Sequence, residues 1–479
     1  MSPLIVAAVG LLLLAAIGAR RQTARRARHL GRGASAVAFR HGIGSLGIGS
    51  GRLGTGTDGV GALGVFLGLV VPLAFLSASS NVELEPARVS GLLGIEAGAI
   101  LALSGHAVLP VALGHGIFVV AASLSFARVG NQAAVPKVRR AHTVYLVLGS
   151  APMLLGFAVL TRMAFREHAP ELLRLDGAGP VGISPGWRAA LCLGFALTAL
   201  TRMACLPFHS WLPLVTDSGP VGAVVSLLSL QLGLHVMTRL VLPFSGADAS
   251  TALSALVAGG LVTSIYGALG ALGQTSLRRA VAFVLLSQAG LTLVGVSSPN
   301  LISSTGGVLY GAASVLGFTG LLLAVSALEA RVGRVTVTQN GGAARTAPRL
   351  SALYILLSLA AAGFPGSLGF VAEDLITQGI VDGHPFVATV MLVATAINGF
   401  VLLRGGFMAF FGRADAGFTA PPDVLPREGR VLTSILAAMV LAGLFPQSLL
   451  GLRKEIPGSG ARTGETHEAA APLHIARSP

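Results

Sequence analysis

The sequence predicts an all-α polytopic membrane protein of about 13–14 transmembrane helices, and three observations predict it. Only 11% of the 479 residues are charged, against about one quarter in a soluble domain that must keep its surface in water. Mean hydropathy is +0.78. Apolar stretches recur along the chain, each close to the roughly 20 residues that cross about 30 Å of hydrocarbon.

The first stretch, Pro3–Gly18, is followed by Arg20, Arg21, Arg25, Arg26 and Arg28. In a signal peptide the positive region precedes the apolar one, so the order here reads as a retained first helix with its N-terminus outside and the arginines in the cytoplasm. Residues 1–32 form this helix and its basic loop, and 33–57 are a Gly-rich marginal span carrying Arg40 and His41. Further spans are expected at about 59–77, 89–105, 107–127, 143–163, 187–206, 220–242, 251–272, 279–296, 306–328, 350–372, 384–411 and 429–450, thirteen with the first. Four crossings would leave the basic stretch Arg128–His142 outside, and a fifth within 33–57 would return it to the cytoplasm. Residues 58–412 are read as the core, 413–452 as a peripheral C-terminal helix and 453–479 as a flexible polar tail.

The charge is +14, from 33 Lys+Arg against 19 Asp+Glu. The basic residues lie mainly between spans, which orients a membrane protein and argues against nucleic-acid binding. Cys192 and Cys205 share one apolar segment and imply neither a disulfide framework nor a metal site. No metal cluster, phosphate loop, flavin or iron–sulfur motif or nucleophile triad is readable. No cofactor and no catalytic site are therefore expected in this chain.

Ionisable groups within spans are costly and mark function by default; the plainer alternative is snorkelling to the interface. Arg162, Arg239 and Arg404 lie near span ends and fit the alternative. Arg202 lies deeper, five residues before Pro207, and fits either function or structural pairing. Pro207 and Pro213 flank Phe208-His209-Ser210-Trp211-Leu212, a double interruption tolerated in a membrane only where protein or water satisfies the freed carbonyls. Such a segment is either a structural kink or, beside Arg202 and His209, a hydrated pathway. Gln231 and His235 are spaced i, i+4 and share a face. Histidine with an ordinary pKa near 6.5 carries protons near neutral pH, although a lone core histidine is usually just hydrogen-bonded. Glu373 and Asp374 follow Gly363-Phe364-Pro365-Gly366, a second break at Pro365; adjacent carboxylates diverge, so one suffices to face a cavity. Glu96 lies mid-span as a third acid.

The run Thr201-Arg-Met-Ala-Cys-Leu-Pro-Phe-His-Ser-Trp-Leu-Pro213 resembles the antiporter-like membrane subunits of respiratory complex I. The same family includes membrane-bound hydrogenase subunits, multi-subunit sodium/proton antiporters and inorganic-carbon transporter membrane subunits. Their signature is Lys-x-x-x-x-Pro-(Phe/Leu)-His-x-Trp-Leu-Pro, followed by a Pro-Val helix start that Gly219-Pro220-Val221 matches. Gly273–Phe283 resembles the family's Gln-x-Asp-x-Lys-Arg segment, and Gly363–Glu373 its Gly-x-Pro-x-x-x-Gly-Phe-x-x-Glu. The resemblance covers roughly 58–412. It implies inverted repeats of about five helices, each with one broken helix, near Pro207 and Pro365. It also implies that 384–411 and 429–450 pack at the periphery against a neighbouring subunit.

Carried across, the family's mid-membrane relay is altered. Its fifth-helix glutamate aligns with His115, its seventh-helix lysine with Arg202, and the next lysine with Gln231. The later central lysine falls near Phe318 or Thr319, and only the terminal acid, Glu373, is kept. The chain's two lysines, Lys137 and Lys454, lie in loop-like sequence. A buried lysine releases its proton because desolvation disfavours its charge. Arginine does not, and glutamine carries none. His115 and His235 are the available substitutes.

The resemblance therefore implies a membrane subunit of a complex I-like assembly in the inner (plasma) membrane of a bacterium. It would move protons or sodium beside other integral membrane subunits and lipid, with NADH or quinone chemistry left to partners. The alternatives are a non-conducting scaffold subunit that keeps the fold, and a stand-alone solute or cation transporter.

Overall fold

The structure is a computed structural model that describes residues 3–20, 22, 24–46, 59–78, 85–126, 135–175, 182–246, 250–337, 342–411 and 422–447. The expected tail 453–479, residues 47–57 of the marginal span and Arg128 lie outside these residues. The described chain is helical and contains no strand, only two isolated bridges, Ala107–Arg174 and Ser276–Thr336.

The helices are α1 (Pro3–Ala19), α2 (Ala24–Leu46), α3 (Gly59–Ala78), α4 (Pro86–Leu103), α5 (Val108–Phe126), α6 (Val135–Ala141), α7 (Ala151–Arg166), α8 (Pro185–Arg202), α9 (Trp211–Thr216), α10 (Pro220–Val236), α11 (Leu242–Ser245), α12 (Ser250–Leu272), α13 (Leu277–Ser297), α14 (Leu301–Val332), α15 (Pro348–Ala361), α16 (Leu368–Ile380), α17 (Pro385–Phe410) and α18 (Pro426–Leu444). A π segment His142–Val147 and a short 3-10 turn Leu148–Ser150 join α6 to α7. A second π segment, Met237–Val241, joins α10 to α11.

Each of the thirteen expected spans is helical over most of its described residues. Among the described residues, nine helical stretches are long and apolar enough to cross a bilayer unaided, and α1 and α15 are apolar but shorter. The difference has local causes. α15 is short because the expected span 350–372 breaks after Ala361 and resumes as α16. α8 ends at Arg202, four residues before the expected boundary, because Pro207 cannot continue it.

Two readings are corrected. The basic segment after α1 is not a loop to residue 32: α2 begins at Ala24 and carries Arg25, Arg26, Arg28 and Arg32 on helix. Alanine, leucine and arginine are good helix formers, so density of charge hid a helix. Likewise the C-terminal part of Arg128–His142 is helical, as α6 and the π segment.

Burial divides the helices by solvent. α10 and α14 are enclosed along their lengths and α13 nearly so. α5, α7, α12 and α17 instead present large apolar side chains outward, among them Leu109, Leu155, Val262, Leu269, Phe386 and Phe400. In water such a belt would drive aggregation; in a bilayer it is the surface that lipid wets. The enclosed helices are read as apolar all round because both faces meet protein.

Close packing between spans uses small residues, since lipid offers no hydrophobic drive for helices to associate. A Cβ added at Gly98 on α4 would collide with the backbone of Phe118 on α5, and one at Gly114 with the backbone of Ala102. Gly98→Val is therefore expected to destabilise the protein by about 1–3 kcal/mol, read as a lower thermal unfolding midpoint in detergent, while Gly10→Ala, which meets open space, leaves it unchanged.

Candidate functional site

The two interrupted helices position the polar residues. α8 stops at Arg202, and the chain turns through residues 203–210 before α9 starts at Trp211. The groups freed by the break find partners: Trp211 Nε1 donates to the carbonyl of Thr201 at 2.9 Å, and the amide of Leu206 donates to Thr263 Oγ1 at 3.0 Å. Pro207 lies within the break, whereas Pro213 is the third residue of α9 and interrupts nothing, since its missing amide has no intrahelical partner in a first turn. Pro365 lies in the second break, between Ala361 and Leu368, where Gly363 and Gly366 take φ of +81° and +90°. There the carbonyl of Ala361 accepts from Gln288 Nε2 at 2.6 Å, and Ser367 caps α16 by accepting from the amide of Phe370 at 3.3 Å.

Arg202 is fully buried. Its Nη2 donates to Ser150 Oγ at 2.9 Å, and its guanidinium carbon lies 5.5 Å from the centre of the Phe118 ring, within cation–π range. Nε and Nη1 have no hydrogen-bond partner, and no carboxylate pairs with it among the described residues. Two histidines are its electrostatic neighbours, His115 and His142. His115 Nδ1 contacts the carbonyl of Val111 at 2.9 Å, leaving Nε2 without a partner. His115 and Arg202 are thus neighbours, and the pair brings together no opposite charges.

His235, buried on α10, has both ring nitrogens unpartnered, and its electrostatic neighbours are Arg239, His115 and His106. One turn earlier, Gln231 abuts α3 at Gly64, where an added Cβ would lie 3.3 Å from Gln231 Nε2. Gln231 also lines a small cavity of about 10 Å³ with Met203, Thr292, Gly311 and Ser314, a volume close to that of one water. From Ser314 the polar line continues: its hydroxyl donates to Gln288 Oε1 at 2.7 Å, and Gln288 reaches the broken end of α15.

Beyond that break is Glu373, buried on the second turn of α16. A Cβ on Gly363 would sit 2.8 Å from Glu373 Oε2, so the carboxylate packs directly on the broken segment, and Tyr310 and Thr395 are beside it. Asp374 points elsewhere: it is exposed and accepts from Gln378 Nε2 at 2.6 Å. His209 lies near the surface, with Nε2 3.0 Å from the Tyr266 hydroxyl. The structure therefore links Arg202, His115, His235, Gln231 and Glu373 through neighbours, and sets His209 and Asp374 apart. Glu96 is sealed by α2, accepting from Ser35 Oγ at 2.8 Å.

Sequence reading missed His142, Gln288 and Ser314. Gln288 carried a readable signal, a lone amide in the apolar run of 279–296; His142 did not, because it stood at the end of a presumed loop. Among the described residues, no group of His, Cys, Asp and Glu is arranged to hold a metal ion.

The family described as NADH:quinone oxidoreductase/Mrp antiporter, transmembrane, matches residues 118–398, more than half of the chain. The chain belongs to this family. NADH-quinone oxidoreductase subunit M of Mycobacterium tuberculosis is 26% identical over 284 residues, 59% of this chain and 51% of that protein. The subunit M of Escherichia coli is 28% identical over 315 residues, 64% of this chain and 61% of that protein. F(420)H(2) dehydrogenase subunit M of Methanosarcina mazei is 25% identical over 318 residues, 64% and 63% of the two chains. The match thus spans about half to three fifths of these curated relatives.

In three dimensions the fold is shared more widely. A chain of respiratory complex I from Thermus thermophilus superposes with a TM-score of 0.84 at 21% identity, covering 96% of this chain and 100% of the other. A chain of the Mrp complex from Dietzia superposes with a TM-score of 0.78 at 18% identity, covering 96% and 97%. These identities carry the fold alone. This family member is a multi-pass membrane protein with the antiporter-like bundle.

Proposed function

We propose that the chain is a membrane subunit of a complex I-like assembly, moving protons across a bacterial plasma membrane by a histidine-modified route through the core 58–412. The supporting observation is the buried polar row that runs from His142 and Arg202 through His115 and His235 to Gln231, Ser314, Gln288 and Glu373. Buried polar groups in a membrane are costly and persist at pathways. In this route His115, His235 and Glu373 exchange protons. Arg202 supplies a fixed positive charge, Gln231 lines the small cavity it shares with Ser314, and Ser314 and Gln288 hold the hydrogen-bonded line from there to the second break. Redox chemistry belongs to partner subunits that set this bundle in motion.

Arg202 without a carboxylate and Gln231 in place of a lysine favour one rival, a scaffold subunit that keeps the bundle and does not conduct. The deciding experiment reconstitutes the protein with its co-purifying partners in liposomes and follows proton flux with a pH-sensitive dye. Flux in the wild type, reduced by at least about a hundredfold in His235→Ala, is the expected result. A wild type that passes no protons while its partners remain redox-active overturns the proposal in favour of the scaffold. The same vesicles loaded with sodium identify the ion.

A further inference from the structure

Tyr310 stands on α14, 3% exposed, in a cluster of hydrocarbon side chains. Leu291, Val294, Leu309, Ala372, Ile376 and Met391 belong to that cluster. A phenylalanine would fill the same space. The hydroxyl is the part that this packing does not call for, and a buried tyrosine hydroxyl usually has a polar partner.

The register of α14 against α16 says which partner it meets. The two helices run antiparallel: a Cβ on Gly379 would collide with Ser303, and one on Gly306 with the backbone of Ile376 and Ala372. Tyr310, one turn beyond Gly306, lies on the same face of α14. It therefore comes opposite the first two turns of α16, which carry Glu373. Thr395 of α17 closes the third side, next to both the acid and the phenol.

No cation completes this group. Among the described residues, no arginine, lysine or histidine pairs with Glu373. The nearby amides are spent: Gln288 Nε2 on the carbonyl of Ala361 at 2.6 Å, and those of Gly363 and Phe364 on Ala360 and Leu359 at 3.4 and 3.0 Å. Once the acid gives up its proton, a carboxylate is left in a largely buried place, a costly state without hydrogen-bond donors. The donors beside it are two hydroxyls.

We propose that Tyr310 is a positioning residue for the proton step at Glu373, its hydroxyl and that of Thr395 donating to the carboxylate once the proton has left. Only the carboxyl O–H bond breaks. The proton passes on along the route, and both hydroxyls keep their own protons and supply hydrogen bonds alone. The role rests on the proton route proposed above, in which Glu373 exchanges protons.

The test uses the full chain with its co-purifying partners in vesicles and reads two signals. One is proton flux. The other is the infrared C=O stretch of the protonated Glu373 carboxyl, identified as the band that Glu373→Gln removes. Tyr310→Phe keeps the ring and should lower flux at least about tenfold, the effect of losing one hydrogen bond to a charged group. It should also shift the carboxyl band. Thr395→Val should act in the same direction, whereas Thr395→Ser, which keeps the hydroxyl, should match the wild type. Met391→Leu disturbs the same cluster without touching a hydroxyl and should leave the band in place. An unmoved band or undiminished flux in Tyr310→Phe, beside a conducting wild type, overturns the inference and leaves the route standing. A wild type that passes no protons overturns both.

Discussion

Glu329→Gln alone is expected to lower the stability of the protein in detergent by about 3–5 kcal/mol, the cost of stranding a buried guanidinium. Arg278 at the start of α13 sends both Nε, at 3.0 Å, and Nη2, at 2.5 Å, to Glu329 Oε2 near the end of α14. Nη2 also donates to Ser326 Oγ at 3.0 Å. The two side chains are 4% and 14% exposed, so water cannot take the place of the lost carboxylate. Together they pin the ends of two enclosed helices, which places the loss at the centre of the bundle. Removing both charges, as Arg278→Leu with Glu329→Leu, leaves no orphan and should cost less than half as much. Urea or thermal unfolding of Arg278→Leu, Glu329→Leu and the double variant, read as a cycle, checks this. Additive effects would mean that the pair contributes nothing beyond its separate parts.

By contrast, Arg334 and Asp217 meet at 2.8 Å with the arginine 63% exposed. An exposed pair contributes little, and no comparable loss is expected there.

How much of this was legible in the sequence depended on the kind of signal. Spans such as 220–242 and 384–411 were readable because a bilayer imposes one length and one composition on every crossing. Prolines marked the breaks at 207 and 365 because a missing amide is a local property. The first third of α2 was not readable, because its arginines resemble a loop until Ala27 is seen packed inward; only the part from residue 33 onward was read as a marginal span. Pairing across the sequence was also hidden: Arg278 and Glu329 lie 51 residues apart, and no local pattern names a partner at that distance. The polar row is of the same kind. Gln231 and His235 could be placed on one face by their spacing, but which helices that face meets depends on the rotation of α10 within the bundle. That rotation is set by close contacts such as Gly233 against Met203 and Gly311 against Leu234.

The divergence of Glu373 and Asp374 sets up the sharpest functional expectation. Glu373→Gln keeps the size and shape of the side chain and replaces one carboxyl oxygen with an amide NH2 that neither ionises nor releases a proton, so packing against Gly363 should survive. Under the proposed route, proton flux in reconstituted vesicles should fall by at least about a hundredfold, the scale on which a positioned proton carrier contributes. Partner subunits should still co-purify. Asp374→Asn, one residue away, should leave flux unchanged, because that carboxylate is exposed and tied to Gln378 on the outer face of α16. A third variant separates position from protonation. Gly363→Ala retains the acid but crowds its Oε2 and strains a residue at φ +81°, so it should reduce flux less than Glu373→Gln while lowering stability. Undiminished flux in Glu373→Gln would remove the terminal acid from the route and with it the reason to run the pathway across the second break. The proton exit would then have to lie on the His142 side of Arg202, within the first half of the bundle.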